Sequence, residues 1–117
     1  MGPMAKAYLR KLTFLLGRLR SERFKDIRLE CRHFFSGAAV YADGRIFMSL
    51  TPVGLAIKLP ETPRKQLMKE PGAKHLRYFP NAPVKKDYVV LPRTMLSDPK
   101  ALKRWVKISI EHALSKP

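Results

Sequence analysis

Apolar residues recur along this chain in two rhythms, one helical and one extended. Over residues 4–20, Ala5, Tyr8, Leu9, Leu12, Leu15, Leu16 and Leu19 return at steps of three and four, which gathers them on one helical face. Lys6, Arg10, Lys11, Arg18 and Arg20 fall largely outside that stripe, and Gly17 weakens its last turn. The same rhythm closes the chain. Ser97-Asp98-Pro99 reads as a helix start, and Leu102, Trp105, Val106, Ser109, Ile110, Ala113 and Leu114 form the buried face of a helix ending near Leu114. A polar connector at 21–28 follows the first helix, with Phe24 and Ile27 as its anchors.

Between the helices the period drops to two. In LECRHFF (29–35), Leu29, Cys31 and His33 alternate with Glu30, Arg32 and Phe34, a short strand or extended lead-in broken at Ser36-Gly37. Val40-Tyr41-Ala42 and Arg45-Ile46-Phe47 flank Asp43-Gly44. That dipeptide between strand formers predicts a two-residue type I′ hairpin, which needs positive φ at both positions. A phosphate-cradling loop would need several glycines and a helix start, whereas aromatic and β-branched residues follow here. The hairpin sets Tyr41 opposite Ile46 and Val40 opposite Phe47.

The second arm runs to about Thr51, Pro52-Val53-Gly54 turns the chain, and Leu55–Leu59 is a third strand ended by Pro60. Thr62-Pro63 opens a short helix, Thr62 as its cap, with Leu67 and Met68 inward and Pro71-Gly72 at its end. Leu76–Phe79 is a fourth strand, 80–83 (PNAP) a loop, and Tyr88–Leu91 the heart of a fifth, closed by Pro92. The predicted fold is α+β, in the order α-β(3)-α-β(2)-α, with an antiparallel sheet packed by helices in two layers. Residues 1–117 read as one domain whose core needs no staples. Met4 reads as an alternative natural start to Met1.

Charge changes the picture more than composition does. Twenty-four Lys and Arg face nine Asp and Glu, a formal net charge of +15. The first 35 residues hold nine of those cations against three acids. Such a surface attracts polyanions through counterion release at phosphates. Lys100, Lys103, Arg104 and Lys107 form a basic stripe opposite the apolar face of the last helix, and Arg18, Arg20, Arg23, Lys25 and Arg28 form an N-terminal group. The single cysteine, Cys31, permits no internal disulfide and fits a reducing, cytoplasmic setting. Arg28 and Arg32 lie close enough in sequence to activate it, although a lone strand cysteine is ordinarily inert packing. The longest apolar run near the N-terminus, Phe14–Leu16, is too short for a signal core or a membrane span.

Catalytic chemistry is sparse. His33, His75 and His112 lack ligand-spaced partners, so no metal site is expected. No Gly-rich phosphate loop, Gly-x-Ser-x-Gly elbow or His-Glu-x-x-His pair occurs. Glu30, Asp43, Asp87 and Glu111 would have to converge in space to act as acids or bases, and Asp43 is already explained by the turn. The chain reads as a non-enzyme without cofactor. Tyr78 and Phe79 beside Arg77 have the chemistry to stack on bases, but in a strand they read as core or interface packing.

Phe35, Gly37, Tyr41, Asp43-Gly44 and Phe47 resemble the Met-Phe-Gly-Gly…Tyr-x-Asp-Gly-x-x-Phe signature of the TfoX N-terminal domain family of competence regulators. LAIKLP (55–60), YVVLP (88–92) and DPKALKRWVKISIEHAL (98–114) resemble its later strands and its closing helix. Phe34 stands in place of the signature Met, Ser36 in place of its first Gly, and Ala56 in place of an aromatic. The resemblance implies a stand-alone N-domain with a fold like that of secretion chaperones, self-association as a homodimer, and no catalytic activity. It carries over no binding residues. Two functions stay open: a regulator whose basic surface contacts nucleic acid or an acidic protein, and a dimeric, chaperone-like interaction adaptor that binds no nucleic acid. A shallow pocket between sheet and helices is a third, weaker option.

Overall fold

Three helices lay their apolar stripes on one face of a single antiparallel sheet, giving the two-layer α+β arrangement expected from the sequence. A computed structural model describes residues 3–20 and 22–115. Ser21 of the connector, residues 1–2 and the side chains of Met4 and Ala5 lie outside the described residues.

Helix α1 spans Pro3–Leu19 and buries Leu12, Leu16 and Leu19. A single-turn helix at Glu22–Phe24 follows and buries Phe24, one of the two anchors read from the sequence. Four strands come next: β1 (Leu29–Phe34), β2 (Gly37–Ala42), β3 (Arg45–Thr51) and β4 (Gly54–Lys58). After α2 (Glu61–Met68) come β5 (Lys74–Leu76) and β6 (Lys85–Val90), then a 3-10 helix at Arg93–Ser97 and α3 (Pro99–Ser115). The sheet order is β1-β2-β3-β4-β6-β5. The lead-in at 29–35 is therefore a full edge strand, and the first group contains four strands, one more than the order read from the sequence. Its outer edge faces no partner strand, so polar residues are tolerated there and mask the signal.

The Asp43-Gly44 reversal is a tight turn with both residues at positive φ, 48° and 84°. Its aspartate also ties the sheet: Asp43 Oδ1 accepts the Arg28 N–H at 3.0 Å, and its own N–H donates to Arg28 O at 2.9 Å. Tyr41 faces Ile46 as expected, but Val40 faces Met48, because a bulge makes Phe47 the extra residue of β3. Phe47 turns into the helix-covered core and is fully buried.

Two other expectations shift. Pro60, not Thr62, is the N-cap of α2, with no side-chain cap bond; the Arg64 N–H closes the first turn on Pro60 O at 3.0 Å. Thr62 and Pro63 lie inside that turn, where a missing N–H is harmless. The expected strand at Leu76–Phe79 ends at Leu76. Arg77 instead braces a loop, its Nη1 donating to Ala82 O at 2.7 Å, while the Ala82 N–H returns to Phe79 O at 2.9 Å. Helix α3 begins as predicted, Asp98 Oδ1 accepting the Ala101 N–H at 3.2 Å before Pro99. It buries Leu102, Trp105, Val106, Ser109, Ile110 and Ala113.

Candidate nucleic-acid interface

On α3 the buried stripe forces its remaining positions outward. Lys100, Lys103, Arg104 and Lys107 are all exposed, and none of them pairs with an acid among the described residues. The Arg104 guanidinium lies 5.2 Å from the Trp105 ring centroid, where the ring face attracts its charge without consuming it.

The N-terminal group is divided. Arg23 reaches α3 and pairs with Glu111 at 2.9 Å, one turn beyond Lys107, so the connector borders the end of the stripe. Arg18, exposed near the end of α1, has no acidic partner among the described residues. Arg20 donates to Ile27 O at 3.4 Å. Lys25 lies 3.8 Å from Glu22, and Arg28 lies 3.6 Å from Glu30 beside the hairpin. Of these five cations, Arg23, Lys25 and Arg28 are thus paired with acids, and only Arg23 is placed against α3.

The opposite face of the sheet carries no helix. One cross-strand row runs Arg32, Ala39, Ser49, Ala56, Val90, Lys74, with cations at its ends and small or β-branched residues between. Tyr78, carried by the braced loop, lies over this trough, its hydroxyl 3.2 Å from Ser49 Oγ. Phe34 and Phe35 meet its ring at centroid distances of 5.4 and 5.3 Å and each other at 4.5 Å, all edge-on or tilted. The Arg32 guanidinium lies 4.8 Å from the Tyr41 ring, and Lys58 Nζ lies 5.9 Å from the Tyr88 ring. Phe35 (69% exposed) is the open ring of this cluster, and Phe79 (60% exposed) follows Tyr78 on the same loop. The sequence reading missed the cluster because it placed Tyr78 and Phe79 in a strand. Pro80, directly after Phe79, was the available signal that the loop begins before residue 80.

Titration follows these surroundings. Burial raises the Tyr88 hydroxyl far above the usual phenol range, and neighbouring Tyr78 and Tyr41 push it the same way. Burial raises Tyr78 too, against the hydrogen bond it shares with Ser49. The hydrogen-bonded Arg32 guanidinium holds Glu30 below the usual carboxylate range. Burial pushes the Cys31 thiol up, partly opposed by the Thr13 hydroxyl. Strand alternation explains why nearby Arg32 does not activate Cys31: the two side chains leave β1 on opposite faces.

The scattered acids do not converge. Glu30 pairs with Arg32, Asp87 lies 3.9 Å from Arg64, Glu111 holds Arg23 and Asp43 serves the turn. Among the described residues no group of three or more His, Cys, Asp or Glu is placed to hold a metal ion. No helix among them is long and apolar enough to cross a membrane. A groove of about 630 Å³ lies between α1 and the Arg93–Ser97 turn, floored by Leu50 and Leu55.

A scan against protein families matches the TfoX N-terminal domain over residues 24–113. Comparison with curated proteins and with solved structures gave no match.

Proposed function

Because the chain belongs to the TfoX N-terminal domain family, we propose that it is a non-enzymatic, competence-related regulator that acts in the cytoplasm by binding nucleic acid through its basic surface. One observation carries this reading. Four cations of α3, Lys100, Lys103, Arg104 and Lys107, stand exposed in one helical stripe without acidic partners among the described residues, in a chain of net charge +15. Unpaired surface cations retain condensed-counterion release as a driving force when they meet phosphates, whereas Lys25 and Arg28 are already partly compensated.

The test is binding to generic duplex DNA over a salt series, with wild type beside a Lys100→Glu, Lys103→Glu, Lys107→Glu variant. Wild type is expected to lose affinity steeply with salt, and the variant to bind at least about tenfold more weakly with a shallower slope. Absence of wild-type binding at low salt refutes the reading.

The unpaired outer edge of β1 favours a second reading, a homodimeric adaptor that docks an acidic protein. Light scattering across concentration decides it: a monomer throughout removes it.

A further inference from the structure

We infer that the aromatic corner on the helix-free face of the sheet is a stacking site for unpaired bases, which makes single-stranded nucleic acid the preferred ligand. The inference rests on the nucleic-acid reading above and moves base contact to the side of the sheet opposite α3.

The first support is backbone geometry. Phe35 sits at φ 50°, a region that bulky side chains rarely adopt, and its ring is 69% exposed. Gly or Asn would satisfy that turn more easily. Local energetics therefore oppose a phenylalanine there, and its edge contacts with Phe34 and Tyr78 leave most of the ring in solvent. An outlier of this kind points to a role for the ring outside the fold.

The second support is rigidity. Phe79 is 60% exposed on a loop closed by Arg77 and Ala82, and Ala82 itself is buried. Tyr78, next to it, is fixed by Ser49 and by both Phe34 and Phe35. The Phe35 ring, packed on Phe34 and Tyr78, loses little freedom when a planar ligand stacks on it, and the backbone under Phe79 is tied by the Ala82 N–H.

The third support is charge, and it selects the occupant. Lys58, Lys74 and the loop's Arg77 border this face without an acidic partner among the described residues, whereas Arg32 is already paired with Glu30 at 3.1 Å. A second copy of the chain would bring the same net charge of +15 against these cations. A strand of nucleic acid offers both complements, π faces for the rings and phosphates for the cations. A duplex keeps its base faces stacked and offers only the phosphates.

The experiment compares wild type with the Phe35→Asn, Phe79→Ser double variant. Fluorescence anisotropy measures binding to a short oligo-deoxythymidine strand and to a duplex of equal length. Asn suits the left-handed turn, so unchanged thermal unfolding verifies the fold. The double variant is expected to bind the strand about a hundredfold more weakly, roughly tenfold per ring, with duplex affinity and salt slope unchanged. Strand binding equal to wild type, while the α3 charge reversal weakens duplex binding, refutes the corner and leaves the nucleic-acid reading standing. Wild type that binds neither probe at low salt refutes both. A wild-type dimer that the double variant dissolves, with strand binding unchanged, makes the corner a self-association surface and also refutes the inference.

Discussion

Ser109 interrupts the apolar stripe of α3, and its removal tests how the sheet and helix layers are joined. The β3–β4 ladder has Met48 and Ile57 as its last pair. Beyond that pair the ladder stops, and the carbonyls of Phe47 and Lys58 both accept from the Ser109 hydroxyl at 3.1 and 2.6 Å. Ser109 is fully buried, so no water replaces that hydroxyl when it is deleted. A buried acceptor left without a donor costs about 1–3 kcal/mol. The hydroxyl has a single proton to share between two carbonyls, so Ser109→Ala should destabilise by about 2 kcal/mol, near the middle of that range. Ser49→Ala is the control. Ser49 is equally buried, but its partner, the Tyr78 hydroxyl, belongs to a half-buried residue that can turn to water, so a loss below about 1 kcal/mol is expected. Urea unfolding followed by Trp105 fluorescence and by far-UV circular dichroism should show a lower midpoint at unchanged slope for Ser109→Ala. Its Tm should fall by roughly 8 °C. A Ser109→Ala protein within about 0.5 kcal/mol of wild type would refute the bridging role, since that is the spread of ordinary surface substitutions.

Three further outcomes follow from the same geometry. Gly37→Ala should destabilise by about 3 kcal/mol or more in chemical denaturation, because a Cβ there meets Leu50 O and lies 2.9 Å from Thr51 Cα, both backbone atoms that move only with the strand. Stability should fall above about pH 10, since buried Tyr88 and, less strongly, half-buried Tyr78 keep their protons in the folded state after an unfolded tyrosine has lost them. That contribution is complete below the unfolded pKa and is lost as pH rises toward the raised folded one, so Tyr88→Phe should flatten alkaline unfolding monitored by circular dichroism. Cys31 should react with a thiol-specific chromogenic disulfide at pH 8 much more slowly in native protein than in urea, because burial suppresses its thiolate; equal rates would contradict its placement.

The elements legible in the sequence are those whose cause is local. The stripes of α1 and α3, the Asp98-Pro99 start and the Asp43-Gly44 reversal each depend on residues a few positions apart. The features that escaped depend on distant partners. Phe47 becomes a bulge where the helix layer takes its ring and Ser109 takes its carbonyl, and neither is visible in the alternation of β3. The edge position of β1 lets Glu30 and Arg32 blur a strand that pairs fully with β2 along one side. Gly37 shows how a family signature acquires a physical cause: its position matters through Leu50, a neighbour contributed by another strand.

The same distinction divides the candidate surfaces. The α3 stripe is periodic, so its exposure follows once the apolar face is assigned. The N-terminal group was read as a run of charge, but charge in sequence is not charge in space: Glu22 and Glu30 compensate neighbours while Arg23 crosses to α3. The aromatic corner has no sequence period at all. It exists because the β1–β2 turn and the loop after β5 meet over a row of small residues, Ala39, Ser49 and Ala56, which leaves room for Tyr78. Ala56 is fully buried on this face, and the ring covering the sheet there is supplied by the loop. A larger side chain at Ala56 would compete with Tyr78 for the same volume. The small side chain at Ala56 and the placement of Tyr78 are therefore features of one surface, and the strained turn at Phe35 completes it.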